Sequence, residues 1–386
     1  MLLADASNDA ILVMNVQTAI APADAIAATV TDVANKYRRN RSAKPLLAVW
    51  VGEDRKIGDL LSSAGIPNYP TEDDAVRGFM HLVRHREVVE SLAQVPPAMP
   101  STFVPDTDLA RQIVAAALAS HAPLITGKPE IARPEQRERL YAGFHEMRRR
   151  LAAARPDLLV MFVNDHLQNF PYSNLPAFCI GVVDAYDAPS PGGSTLMRIP
   201  PRKLRGAPRW SMALLEAGLA AGFDFAYSYE IDSWDELAVP LHFLNPDGDI
   251  PVATVYTNCA APPLPTLSRC HEVGAFVGRF ARSQAGASRV AFVATGGISH
   301  WVGTPETGRI NPEWDHWVID HIERGDVEPL LRLTWDDIER DGGNGGQEIR
   351  NWVALLGAVP GWKGEALAYE AVPEWITGCG TVWVHA

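Results

Sequence analysis

Cysteine is scarce: the 386 residues hold four, Cys179, Cys259, Cys270 and Cys379, and no Cys-x-x-Cys pair. That excludes a disulfide framework and a structural zinc site of the usual spacing, and fits a reducing compartment. Positive charge is also in deficit. Lys and Arg number 34 against 46 Asp and Glu, a net charge of −12, which argues against nucleic acid or an anionic membrane surface as the main partner. No apolar run approaches the roughly 20 residues that span a bilayer. The opening MLLADASNDAILVMNVQ lacks the basic start of a signal peptide. The expected location is therefore the cytoplasm. No internal repeat is visible.

What is present describes a globular chain with a large core: 47% of residues are hydrophobic and 21% charged. Strand and helix patterns alternate from the start. AILVMNV (10–16) and KPLLAVWVG (44–52) read as buried strands. Residues 23–40 read as a helix, 56–65 as a short helix stopped by Gly65, and a longer helix opens at Thr71 with Asp73 and Asp74 in its first turn. AQVPPAMPSTFVPDTD (93–108) carries Pro96, Pro97, Pro100 and Pro105. Such a run forms neither helix nor central strand and marks a domain boundary. Beyond it the alternation resumes, with strands expected within 111–123, ending in Ser-His, and at 158–163, 224–229, 252–256 and 289–294. Helices are expected at 133–154, 209–222 and 266–285. The expected fold is α/β: residues 1–95 a small flavodoxin-like unit, 96–108 a linker, and 109–386 a large domain on a central mixed sheet.

Three apolar strands end in histidine. AALASHAP delivers His121, LLVMFVNDH delivers His166, and RVAFVATGGISHW delivers His300 after a Gly-Gly turn. The Gly-rich loop DGGNGGQEIRNW brings Glu348 to the start of an apolar helix. Any one of eleven histidines is more often an ordinary polar residue. Four such groups at strand ends and in a loop, where α/β folds place chemistry, are a stronger signal. Two histidines and one carboxylate occupy one face of an octahedral ion and leave three positions open, the arrangement of non-haem Fe(II) oxygenases. Spacing alone does not name the metal.

From about Arg111 to Ala386 the chain resembles the class III extradiol ring-cleavage dioxygenases, the group of the protocatechuate 4,5-dioxygenase beta subunit. The matching segments are SHAP (120–123), NDH (164–166), VPLHF (239–243), ATGGISH (294–300), GRINPEWDHWVID (308–320) and GGQEIRNW (345–352). The resemblance implies Fe(II) held by His121, His166 and Glu348, with His300 as catalytic acid and base. It implies O2-dependent opening of a catechol-type ring (protocatechuate, gallate or a dihydroxyphenyl acid) to a semialdehyde. Asn164 is expected to line the substrate pocket or orient His166. Asp235 stands where the group usually carries a second pocket histidine. There it is expected to face the substrate, accepting from a hydroxyl or favouring an amino substituent, which makes an aminophenol the alternative substrate. A non-catalytic docking protein of the same fold is the alternative from another class. Some relatives use a small alpha subunit, so such a subunit or self-association is an expected partner.

Residues 1 to about 95 resemble a fragment of the NDP-forming acyl-CoA synthetases, from their succinyl-CoA-ligase-like subdomain. DAILVMNV, KPLLAVWVG and SSAGIPNYPTEDDAVRGFMHLVRHRE carry the likeness. No catalytic residue is carried over. His81 and His85 lie four apart on one helix face, a spacing that can bind zinc, but no third ligand accompanies them.

Overall fold

The computed structural model describes residues 3, 5, 7–16, 22–38, 44–51, 55–92, 112–283 and 289–386, with side chains at 38, 55, 84–92 and 112 left undescribed. The chain divides into two compact units, Met1–Phe103 and Val104–Ala386. The proline-rich stretch 93–108 and the side chain of His85 lie outside the described residues. His81 is exposed on its helix.

In the first unit β1 (Ile11–Val16), β2 (Leu46–Val51) and β3 (Asn68–Tyr69) form a parallel sheet in the order β1-β2-β3. Helices Ala23–Arg38, Arg55–Ser63 and Glu72–Leu92 connect or follow them. Gly65, φ +68°, takes the left-handed turn after the second helix. The Asp74 amide donates to Thr71 Oγ1 at 3.1 Å, capping the third. Ala27, Ala48, Leu61 and Ile66 form the centre of this unit's own small core.

The second unit is built on an eight-stranded mixed sheet. Its strands are β4 (Gln112–Ala119), β5 (Leu158–Val163), β6 (Phe178–Gly181), β9 (Ala226–Ser228), β10 (Val252–Thr257), β11 (Arg289–Thr295), β12 (Lys363–Val372) and β13 (Thr377–His385), ordered β12-β13-β4-β11-β5-β10-β6-β9. The two remaining strands, β7 (Ala185–Ala188) and β8 (Arg202–Arg205), form a separate antiparallel pair. The four central strands β4, β11, β5 and β10 run parallel.

The unbroken apolar run of β5 is what burial on both faces demands. Leu158, Val160 and Phe162 enter one core, with helices Pro208–Ala220, Leu267–Ser283, Pro312–Arg324 and Ile349–Ala358. Leu159, Met161 and Val163 enter the other, with helices Pro134–Ala154 and Asp235–Leu244. Each fully buried aliphatic or aromatic side chain there contributes about 1.5–3 kcal/mol. Since the central strands are parallel, their carboxyl ends share one edge. That edge carries His121, His166 and the Gly296–His300 turn.

Candidate metal centre

His121 follows β4 directly after Ser120, and the Ser120 amide is fixed to the Gly380 carbonyl at 3.0 Å. His166 follows β5 by two residues. The turn beyond it is tied by the Asp165 carboxylate, which accepts from the amides of Asn169 and Phe170, each at 3.0 Å, and from Asn169 Nδ2 at 2.8 Å. Leu167 takes φ +65° in this turn, a conformation unfavourable for a branched side chain. Glu348 closes a 3₁₀ turn, Gly345–Glu348, that leads straight into the helix Ile349–Ala358.

These elements bring His121, His166 and Glu348 together so that one ligand atom from each lies within 4.8 Å of the others. His166 Nε2 is 3.0 Å from Glu348 Oε1, and His121 Nε2 is 3.4 Å from Glu348 Oε2. The two imidazoles meet edge to face, their centroids 5.2 Å apart. His121 Nε2 is buried with no hydrogen-bond partner. An orphaned buried imidazole nitrogen is costly unless something else occupies its lone pair. The donor set, two imidazoles and one carboxylate on a single face, fits a divalent first-row metal and suits Fe(II).

Each ligand is held from behind. His121 Nδ1 is 3.1 Å from Thr295 Oγ1. His166 Nδ1 is 3.0 Å from Asp235 Oδ1. Glu348 Oε2 accepts from the Gly297 amide at 2.5 Å and Oε1 from Asn164 Nδ2 at 3.1 Å. Burial alone would raise the Glu348 carboxyl, but His121, His166 and His300 around it hold it well below the usual range. Partial desolvation would lower His166, whose side chain is still 34% exposed, yet the charge and hydrogen bond of Asp235, with Glu348 beside it, hold it well above its ordinary value.

His300 stands beside the triad, its Nε2 3.8 Å from Glu348 Oε2. Its Nδ1 is 3.3 Å from the Ile298 carbonyl. A carbonyl only accepts, so Nδ1 carries the hydrogen and Nε2 is left as an acceptor. Burial pushes the His300 imidazole down, which keeps it neutral near pH 7. Its loop is pinned by Asp315, whose Oδ1 accepts from the Ser299 amide at 2.8 Å and whose Oδ2 accepts from Tyr369 OH at 2.6 Å.

Asp235 and Asn164 both lie against His166. Asp235 is 3% exposed, and its carboxylate is bonded to the rear nitrogen of His166. Asn164 is 1% exposed and spans His166, Glu348 and Asn351. Of its two expected roles, orienting His166 is the one that its contact with that ring supports. Sequence reasoning missed Asn351, which donates to Asn164 Oδ1 at 2.8 Å and to the Thr295 carbonyl at 2.9 Å, and Thr295 itself. Nothing local distinguishes an asparagine in a helix or a threonine ending a strand. The role of Asn351 rests on a partner 187 positions away.

The model for the catalytic LigB subunit of aromatic ring-opening dioxygenase matches residues 115–380. A 2,3-dihydroxyphenylpropionate/2,3-dihydroxicinnamic acid 1,2-dioxygenase of Cupriavidus necator is 31% identical over 319 residues, covering 68% of this chain and 95% of its own. The enzyme of that name from Escherichia coli K12 is 28% identical over 312 residues, covering 68% and 96%. A crystal structure of the uncharacterized protein JW3007 from Escherichia coli K12 aligns at TM-score 0.44 and 15% identity, over 70% of this chain and all of that one.

Proposed function

The chain belongs to the family of the catalytic LigB subunit of aromatic ring-opening dioxygenase, and from that premise we propose that it is an Fe(II) enzyme that opens the ring of a dihydroxyphenyl carboxylic acid. It is a ring-cleaving dioxygenase acting on a catechol-type substrate. The metal and the acid substituent are the proposal. One observation carries the metal: the buried, unpartnered Nε2 of His121 beside His166 and Glu348, with ligand atoms within 4.8 Å. The names of the Cupriavidus and Escherichia relatives support the dihydroxyphenyl acid class.

His121, His166 and Glu348 would hold the iron. A bound iron there would supply Lewis acidity toward the diol and redox chemistry between the diol and O2. Everything else falls to the chain. His300, neutral and with Nε2 free of hydrogen, accepts a phenolic proton of the bound diol and returns it later in the turnover. Thr295 and Asp235 fix the rear nitrogens of the two imidazoles. Asn164 and Gly297 fix the two oxygens of Glu348. The product is a ring-opened semialdehyde that retains both atoms of O2.

The test is anaerobic loading with Fe(II), followed by O2 uptake against 2,3-dihydroxyphenylpropionate, protocatechuate, gallate, catechol and 2-aminophenol. The expected result is one iron per chain and fastest uptake, with a yellow product, for the dihydroxyphenyl acid. His166→Ala is expected not to retain iron. An active, iron-replete His166→Ala variant overturns the ligand set, and absence of uptake from iron-replete wild type overturns the reading.

A further inference from the structure

Asp235 begins the helix Asp235–Leu244 that packs on the sheet beside β5. Its carboxylate is buried, and Oδ1 lies 3.0 Å from His166 Nδ1. The adjacent carboxyl, Glu236, does not share this task. It accepts from the Trp234 amide at 3.1 Å, and Tyr256 OH lies 3.3 Å from it.

We propose that Asp235 is a positioning residue for the metal, holding His166 in the tautomer that presents Nε2 to iron and adding a second carboxylate charge behind that ligand. This rests on the Fe(II) reading above. An ionised carboxylate only accepts hydrogen bonds, so in the pair the hydrogen resides on His166 Nδ1. With Nδ1 engaged in this way, Nε2 is the nitrogen that faces Glu348 Oε1, at 3.0 Å, and it is the one that would give its lone pair to the metal. A carboxylate behind an imidazole also raises its basicity as a ligand.

The two histidine ligands are supported unequally. His121 has a neutral hydroxyl behind it, Thr295 Oγ1, and its side chain is 3% exposed. The His166 side chain is 34% exposed. Burial by itself immobilises the first. The second is reached by water and must be fixed by a stronger bond, and a charge-assisted one is roughly twice as strong as a neutral one.

The experiment measures Fe(II) affinity by anaerobic competition with a chromogenic chelator for wild type, Asp235→Asn and Asp235→Ala, with thermal unfolding alongside. Asp235→Ala is expected to bind Fe(II) about 10–100-fold more weakly. Asp235→Asn keeps an oxygen that can accept from Nδ1 but lacks the charge, so an intermediate loss is expected; that graded order is not what a purely structural role produces. Wild-type affinity in Asp235→Ala overturns the proposal, and a higher KM for the diol in that variant reassigns Asp235 to the substrate. If the Ala variant does not fold, Asp235→Asn decides: affinity unchanged from wild type overturns the proposal. Failure of wild type to bind Fe(II) at all overturns the metal reading instead, so the two failures are separable.

Discussion

Gly345 lies under the imidazole of His300. A Cβ placed on it would stand 2.1 Å from His300 Nε2 and Cδ2, closer than any real contact. The ring has little room to retreat, since its other side meets Gly297, where a Cβ would lie 2.6 Å from His300 Cε1. Both Gly-rich stretches are thus read at the level of single atoms: they let backbone come within touching distance of the acid–base group. Gly345→Ala is expected to keep iron binding near wild type, because no ligand is touched, and to lower kcat by about 100-fold, the scale of a 1 Å misplacement. Steady-state O2 uptake on iron-loaded protein checks it, and unchanged kcat would show that His300 tolerates the shift. At this scale the sequence was informative where chemistry-bearing residues end apolar runs. His121, His166 and His300 each close a strand, and Glu348 closes a glycine loop. The direction in which Asp235 points was not legible, because it depends on His166, 69 positions away.

Helix Ile349–Ala358, which starts at Glu348, is fixed by close backbone contact with helix Leu267–Ser283. A Cβ at Gly274 would sit 1.7 Å from the Ala354 carbonyl oxygen, one at Gly278 2.2 Å from that of Ala358, and one at Gly357 2.1 Å from that of His271. These obstacles are backbone atoms, so no rotamer change relieves them. Gly274→Ala is expected to push the helices apart at a cost of about 1–3 kcal/mol or more. Because the displaced helix carries Glu348, Fe(II) affinity should fall with stability. Urea unfolding and chelator competition on one preparation check this, and a stability loss with intact affinity would show that Glu348 is held by its loop alone. Elements with an unbroken apolar run or strong helical period were legible in the sequence: β5, β11 and the helices Pro134–Ala154 and Leu267–Ser283 lie close to their expected bounds. The helix Asp235–Leu244 was not. Pro240 lies inside it, and proline costs about 3 kcal/mol in a helix interior; its buried face, including Leu237 and Leu241, overrides that penalty. The hairpin β12–β13 was also hidden, since Gly378 and Gly380 weaken the strand signal of β13.

Over the whole molecule, the excess of acid groups becomes a pH dependence through the few that are buried. Burial, with Asp235 beside it, raises the Glu236 carboxyl from 4.5 to about 8. Burial raises Asp315 from 3.8 to about 6, against the hydrogen bonds from Tyr369 and Ser299. A carboxyl with a raised folded-state pKa binds its proton in the native chain after the unfolded chain has lost it. Its contribution is fully present below the unfolded value and is lost as pH rises through the folded one. For Asp315 the loss runs from about pH 4 to 6, and for Glu236 from about 4.5 to 8. Between pH 6 and 8, then, Glu236 is the main buried carboxyl of this kind still titrating among the described residues, and it removes stability at up to about 1.4 kcal/mol per pH unit. Glu236→Gln has no proton to lose, and its amide oxygen can still accept from the Trp234 amide. In iron-free protein the variant is therefore expected to gain on wild type steadily across pH 6–8, while the two differ least near pH 5. Urea midpoints taken at half-unit steps measure that divergence. Parallel curves for the two proteins would mean that Glu236 is already ionised in the folded chain, with water or a cation reaching it beneath Trp234.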